Sequence, residues 1–292
     1  MGKKQKLVKP PMLHLGKWVD TQLPKPNIYG KRAEVIIVDE YSNFPPEGKF
    51  APVAPFHIYR NFQIHGYIPK TVLLLAHDVV TNPTEYAEVF EENAWDNTTI
   101  IMDNSVVELQ KAVDAEMVFE AAETVAADIV VLPDVLNSGE QTINATMKVL
   151  EEWRWKFREY ELMSLIQGVD TEEWLHCLEV TLAEINPDWI GIPRCAEDNT
   201  LINMHRSDLV NIVSMCTKKP IHLFGFSESP HQDLLAAKHP QVQSIDSASP
   251  LRLDDADYIF ANPGPRGDWW DTCKFDPEMI NICKEINRRI GL

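Results

Sequence analysis

The strongest constraint on the fold is a repeated alternation between short apolar runs and longer amphipathic segments. Runs that are apolar throughout, rather than at every second residue, are typical of parallel strands buried on both faces. The segments between the runs carry apolar residues at helical spacing, as in residues 115–126 and 171–185. The eight runs cover residues 71–76, 98–102, 128–132, 162–166, 189–192, 221–226, 242–245 and 258–261.

Eight strand and helix units favour a closed (β/α)8 TIM-like barrel over an open sheet. The chain has 292 residues, which exceeds the roughly 250 that such a barrel needs. Residues 1–70 are rich in proline and aromatic residues and contain one strand-like run. We therefore predict an irregular N-terminal extension over 1–70 and the α/β barrel over 71–292.

Several common cofactor and metal sites are absent from the sequence. The five cysteines are odd in number and scattered without a CxxC pair, which indicates reduced thiols rather than disulfides or a zinc site. The chain contains no GxGxxG loop, Walker loop or HExxH motif. We therefore expect neither a cofactor nor a metal. No apolar run approaches the ~20 residues needed to span a bilayer, so we expect no membrane contact.

The charge is distributed unevenly along the chain. The net charge of −17 argues against a nucleic-acid partner, because phosphate binding needs a basic surface. Residues 1–32, however, contain eight basic residues and one acidic residue, a net charge of +7, which leaves −24 on the remainder. This segment is either a solvated tail or a basic arm that binds polyanions.

Polar residues follow the predicted strands, where the carboxyl ends of barrel strands carry the chemistry of such enzymes. Each residue alone has an ordinary explanation as a turn or helix start, but together they predict a polar pocket. Carboxylates combined with an amide suit cleavage at an anomeric carbon, where one carboxylate attacks and another handles the proton. Asp103 and Asp246 are the candidates for these two roles. The strand-end residues are His77, Asp78, Asp103, Asn104, Asp134, Gln167, Gly168, Pro193, Arg194, Ser227, Glu228 and Asp246.

Six segments in order resemble the tRNA-guanine transglycosylase superfamily, and more closely its phage and bacterial branch of 7-deazaguanine DNA transglycosylases. SLIQG resembles the family's FGIIQG-type strand, and SIDSASP resembles the segment that carries the family's nucleophile. The six segments are IIMDNS (100–105), VVLPDV (130–135), SLIQG (164–168), WIGIP (189–193), HLFGFSESPHQDLL (222–235) and SIDSASP (244–250).

The resemblance implies a role for each matching residue. Asp246 would be the nucleophile that forms a covalent glycosyl-enzyme intermediate, and Asp103 would be the general acid and base. Asp134 would accept from the guanine N1 and N2 edge, and Gln167 would donate to O6, roles that suit a carboxylate and an amide. The remaining base-binding residues would be Gly168, Gly191 and Ile192, with His77, Asp78, Asn104 and Arg194 in support.

The sequence departs from the family in ways that bear on the substrate. The tRNA enzymes carry a Cys3His zinc site after the nucleophile strand, but residues 251–292 contain only Cys273 and Cys283 and no histidine. Ile192 also replaces the second glycine of the family's recognition turn. By analogy, the missing zinc subdomain favours DNA over tRNA. The alternatives are a tRNA-guanine transglycosylase, an N-glycosidase, or a non-catalytic nucleic-acid-binding partner subunit.

The implied partners are DNA and a free 7-deazaguanine base of the preQ0 type. The target nucleotide must leave the base stack before a protein can reach C1′, so single-stranded or opened duplex DNA is the expected substrate. A further partner, either a second copy of the chain or a helper protein, is compatible with the sequence. The expected location is the cytoplasm, or the host cytoplasm if a phage encodes the chain.

Deleting residues 1–10 tests the basic arm, because it removes Lys3, Lys4, Lys6 and Lys9 without removing an acidic residue. Each lost phosphate contact should reduce the slope of log K against log salt by about 0.9 for duplex DNA or about 0.7 for a single strand. Turnover at saturating DNA should stay near normal. An unchanged slope would place the phosphate contacts elsewhere, at residues such as Arg194, Arg252 or Arg266.

Overall fold

The computed structural model of this chain describes residues 48–91, 93–153, 155–194, 202, 204–226, 230–251 and 269–291. Its centre is a ring of parallel strands, as the continuous apolar runs predict. The strands are β1 (Phe50–Pro52), β2 (Thr71–Leu75), β3 (Thr99–Asp103), β4 (Ile129–Val131), β5 (Glu161–Leu165), β6 (Trp189–Pro193), β7 (Ile221–Phe224) and β8 (Val242–Ser247).

Helices connect the strands and cover the outside of the ring. Among the described residues, no helix is long and apolar enough to cross a membrane. A short π-helix, Thr181–Ile185, extends the helix that follows β5. The α-helices are α1 (Phe56–Ile64), α2 (Ala76–Thr81), α3 (Pro83–Phe90), α4 (Val106–Leu109), α5 (Ala115–Val125), α6 (Gly139–Trp153), α7 (Thr171–Val180), α8 (Arg206–Cys216), α9 (Pro230–Ala237), α10 (Trp269–Thr272) and α11 (Pro277–Gly291).

The strand order is β1-β8-β7-β6-β5-β4-β3-β2, and every neighbouring pair is parallel. The predicted (β/α)8 TIM-like barrel is therefore confirmed, with one seam between β1 and β2. The Tyr59 hydroxyl lies 2.7 Å from the Pro52 carbonyl oxygen and 3.3 Å from that of Leu73. One buried phenol from α1 thus connects the two strands at the seam.

The strand that closes the ring differs from the one that the sequence predicts. β1 pairs with β8 through the register Phe50↔Ile245, Ala51↔Asp246 and Pro52↔Ser247. It precedes the predicted barrel boundary at residue 70, within the segment predicted as an extension. The predicted strand at 258–261 and the arm at 1–32 lie outside the described residues. Three strand residues, of which the last is Pro52, are too few to give a strand pattern, which explains the difference.

The core has two layers because the strands are buried on both faces. All five residues of β2 are buried, and so are all three of β4. Side chains of one face fill the ring, and those of the other pack against helices such as α5, whose buried residues include Phe119 and Ala122. This burial explains the continuous apolar runs.

Phe50→Ala tests whether β1 is an integral strand of the barrel. Phe50 is fully buried, and its ring stacks on Phe226 with centroids 6.1 Å apart. Truncating such a side chain should lower the free energy of unfolding by about 3–5 kcal/mol, measured by urea denaturation. Ile64→Ala is the control, because Ile64 is 71% exposed on α1 and should change stability by less than about 0.5 kcal/mol. Equally small losses in both variants would contradict this role for β1.

Candidate active site

The carboxyl ends of the parallel strands bring several predicted site residues together. Asp103 is the last residue of β3, and Asp246 lies within β8. Asp134 and Gln167 follow β4 and β5. All four are buried, and the negative charges of Asp134 and Asp246 both act on Asp103. This end of the barrel is where enzymes of this architecture hold their reactive groups.

Asp103 lies in an environment that disfavours its ionised form. Burial raises its pKa well above the ordinary value, and the negative charges of Glu108, Asp134 and Asp246 raise it further. The Ser105 backbone N–H donates to Asp103 Oδ2 over 2.8 Å and acts in the opposite direction. Ser105 adopts a left-handed backbone with φ of 62°, which turns the chain sharply after β3. A carboxyl group with a raised pKa is suited to general acid catalysis.

Asp134 is held between two amide side chains. Asn104 donates to its Oδ1 over 2.8 Å, and Gln167 donates to its Oδ2 over 2.6 Å. Burial raises the pKa of Asp134, while these two hydrogen bonds lower it, and the net direction is upward. A carboxylate oxygen has two lone pairs, so each oxygen can accept a second hydrogen bond. The 2.6 Å hydrogen bond between Gln167 and Asp134 also shows that the two predicted base-binding residues are in direct contact.

Asp246 has two hydrogen-bonding partners at the same oxygen. The Gly225 backbone N–H donates to Oδ1 over 2.9 Å, and His222 Nε2 lies 3.1 Å from it. The sequence prediction missed His222 as a neighbour of Asp246. The available signal was weak, because His222 is one polar residue within the otherwise apolar strand IHLF.

The predicted glycines are required by close packing. A Cβ atom on Gly168 would lie 2.5 Å from Trp174 N, at the start of α7. On Gly191 it would lie 2.7 Å from Phe224 Cε2 and 3.1 Å from Leu165 Cγ. The ring of Phe224 therefore occupies the space beside Gly191. Both glycines allow this close packing because they lack a side chain.

A buried arginine that the sequence prediction missed ties the ends of β6 and β7 together. Arg206 is fully buried, and its Nη2 donates to the carbonyls of Ile192, over 2.8 Å, and of Phe224. Its Nη1 donates to the Gly225 carbonyl over 2.5 Å and to Asp233 Oδ1 over 2.9 Å. The carbonyl of Ile192, a predicted base-binding residue, is thus used to fix the backbone.

The predicted supporting residues have separate positions. Asp78 belongs to a buried network, in which it accepts from Tyr86 Oη over 2.5 Å and from Trp270 Nε1 over 3.2 Å. The backbone N–H of half-buried His77 donates to Ser105 Oγ over 3.3 Å. Arg194 is half-buried directly after β6, where its backbone N–H donates to the Phe224 carbonyl. Asn104 is the supporting residue that contacts Asp134.

No group of three or more His, Cys, Asp or Glu side chains in the described parts of the chain could hold a metal ion. The predicted strand-end residues Ser227 and Glu228 lie outside those parts.

No family model matches this chain, and no curated protein matches it.

Asp103→Asn tests the cause of the raised pKa. The folded protein holds the Asp103 proton more tightly than the unfolded chain, whose pKa is about 3.9. The contribution of Asp103 to wild-type stability should therefore fall as pH rises above that value, by up to about 1.4 kcal/mol per pH unit until the folded-state pKa is reached. The amide keeps an acceptor for Ser105 N–H and cannot ionise, so the variant should gain stability relative to wild type as pH rises.

Urea denaturation over a series of pH values measures this difference. Asp96→Asn is the matched control, because Asp96 is exposed in the turn before β3 and should show no such trend. A stability difference between Asp103→Asn and wild type that is independent of pH would contradict the interpretation.

Proposed function

We propose that this protein is a base-exchange glycosyltransferase that replaces guanine in DNA with a 7-deazaguanine of the preQ0 type. The observation that carries the proposal is the contrast between two buried carboxyl groups at the same end of the barrel. Asp246 Oδ1 accepts from the Gly225 backbone N–H and lies 3.1 Å from His222 Nε2, and these two contacts hold the carboxyl group in one orientation. Asp103 has a pKa raised by burial and by neighbouring charges. One group is thus suited to nucleophilic attack and the other to proton donation.

The reaction proceeds in two balanced steps. In the first, Asp246 attacks C1′ of the target nucleotide, the bond between C1′ and N9 breaks, and Asp103 gives its proton to the departing guanine. In the second, ionised Asp103 takes a proton from the incoming base. The base nitrogen then attacks C1′, and the bond between C1′ and Asp246 breaks. The covalent ester divides one difficult displacement into two easier ones.

The contact between Asp134 and Gln167 supports guanine-like bases as substrates. The amide nitrogen of Gln167 lies 2.6 Å from Asp134 Oδ2, so an N–H donor stands beside a carboxylate acceptor. The O6 and N1–H groups of guanine and 7-deazaguanine present the complementary pair, an acceptor beside a donor. A pocket of this pattern would leave its buried groups unpaired with adenine and would disfavour that base.

The choice of DNA rests on the sequence, since the chain lacks the cysteines and histidine of the family's zinc subdomain. We expect single-stranded or opened duplex DNA to be preferred, because the nucleotide must be extruded to reach Asp246. The direct test exposes single-stranded DNA, duplex DNA and tRNA to the protein with labelled 7-deazaguanine bases. Mass spectrometry of the nucleosides then identifies the polymer that is modified. Guanine release without incorporation would instead indicate an N-glycosidase.

Asp246→Ala should abolish base exchange, because no neighbouring group can replace a covalent nucleophile. The measurement is incorporation of labelled base into DNA under conditions where the wild type is active. Asp96→Ala is the matched control, since it removes an exposed carboxylate in the turn before β3 and should leave exchange unchanged. Wild-type exchange by Asp246→Ala would disprove the assigned nucleophile.

A further inference from the structure

His222 is a buried residue that contacts two side chains of the neighbouring strand. It is fully buried in β7, with Nδ1 2.7 Å from Ser244 Oγ and Nε2 3.1 Å from Asp246 Oδ1. Ser244 and Asp246 are two residues apart in β8, so their side chains project from the same face of the barrel. The Phe224 ring packs edge-on against the imidazole, with centroids 4.5 Å apart and an interplanar angle of 82°. The plane of the imidazole is thus fixed.

The hydrogen bonds determine which ring nitrogen carries the proton. An ionised carboxylate can only accept, so Nε2 must be the donor toward Asp246 in the nucleophilic state. In the neutral ring, Nδ1 then has a lone pair and accepts from the Ser244 hydroxyl. Ser244 thereby selects the tautomer that donates to Asp246.

Both hydrogen bonds to Asp246 converge on one oxygen. Oδ1 accepts from His222 Nε2 and from the Gly225 N–H, which uses both of its lone pairs. Among the described residues, no hydrogen bond to Oδ2 is found. We propose that Oδ2 of Asp246 is the atom that attacks C1′, and that His222 and Ser244 are positioning residues that select it. This inference rests on the proposed function and assigns two further residues to the same site.

The same arrangement serves both halves of the reaction. When Oδ2 bonds to C1′, Oδ1 becomes the carbonyl oxygen of the ester and keeps its two donors. When the second base attacks, the electron pair of the bond between C1′ and Oδ2 returns to the carboxylate. The negative charge then spreads to Oδ1, where His222 and Gly225 stabilise it. Donors aimed in advance at developing charge need no rearrangement during the step.

His222→Leu removes the donor to Oδ1 and lets the carboxylate rotate. The single-turnover rate of guanine release should fall about 10²-fold, the usual loss for a misplaced reactive group or a missing charge-stabilising donor. The affinity for free 7-deazaguanine should stay nearly unchanged. His222→Gln carries an amide N–H that can replace Nε2–H, so it should recover part of the rate. His176→Gln, on the exposed side of α7, is the control with wild-type activity.

A wild-type rate in His222→Leu, or parallel losses of base affinity and rate, would overturn the positioning role. Should His222→Leu fail to fold, Ser244→Ala is the second variant, because it removes only the tautomer-selecting hydroxyl. It should lower the single-turnover rate less than His222→Leu without weakening base binding. A wild-type rate in Ser244→Ala would remove Ser244 from the proposal.

Nitrogen NMR of the full-length protein gives a readout that does not depend on turnover. His222 should show a protonated Nε2 and an unprotonated Nδ1, and Ser244→Ala should mix the two tautomers. A protonated Nδ1 in the neutral wild-type ring would overturn the inference. If the wild-type protein shows no base exchange, the proposed function is wrong. The assignment of the attacking atom is then wrong as well, even if NMR finds the expected tautomer of His222.

Discussion

The repulsion among carboxyl groups at one end of the barrel governs the structure around them. Glu108, Asp134 and Asp246 all raise the pKa of Asp103, in addition to its burial. Like charges in a poorly solvated pocket are unfavourable unless each is neutralised or hydrogen-bonded. Asp134 accepts from two amides, Asp246 contacts a histidine and a backbone N–H, and the raised pKa of Asp103 favours its neutral form. The three carboxyl groups differ in their chemistry because the free-energy cost of burying each one is compensated in a different way.

The helices outside the barrel contribute to this arrangement through Arg206. Arg206 opens α8 and pairs with Asp233 of α9, and both side chains are fully buried. Such a pair is a weak source of stability by itself, since desolvation offsets much of the attraction. Its remaining hydrogen bonds reach three carbonyls at the ends of β6 and β7, including that of Gly225. Gly225, whose backbone N–H donates to Asp246, is therefore held through its carbonyl by Arg206. Arg206 is fully buried, whereas Asp246 is 8% exposed.

The sequence predicts the barrel well because burial on both strand faces leaves a strong pattern, and seven of the predicted strands correspond to β2 through β8. It misses β1, because three residues, one of them Pro52, are too few to show a period. Asp103, Asp134, Gln167 and Asp246 could be predicted because polar residues at the ends of apolar runs stand out. His222 and Arg206 could not, because a single polar residue within an apolar segment indicates neither its burial nor its partner. The contact between His222 and Asp246 depends on the register of β7 and β8, which local sequence does not determine.

The proposed acid and the proposed base-recognition group are connected through consecutive residues. Asp103 accepts from the Ser105 backbone, and Asn104 donates to both Asp134 Oδ1 and the Leu132 carbonyl. Asn104 Oδ1 in turn accepts from the Val106 N–H, so the left-handed turn at Ser105 is held on both sides. Any shift of Asp134 toward a base would pull on Asn104 and hence on the backbone that carries Asp103. Under the proposed function, this short turn, in which Ser105 adopts a left-handed backbone with φ of 62°, would couple base recognition to proton transfer.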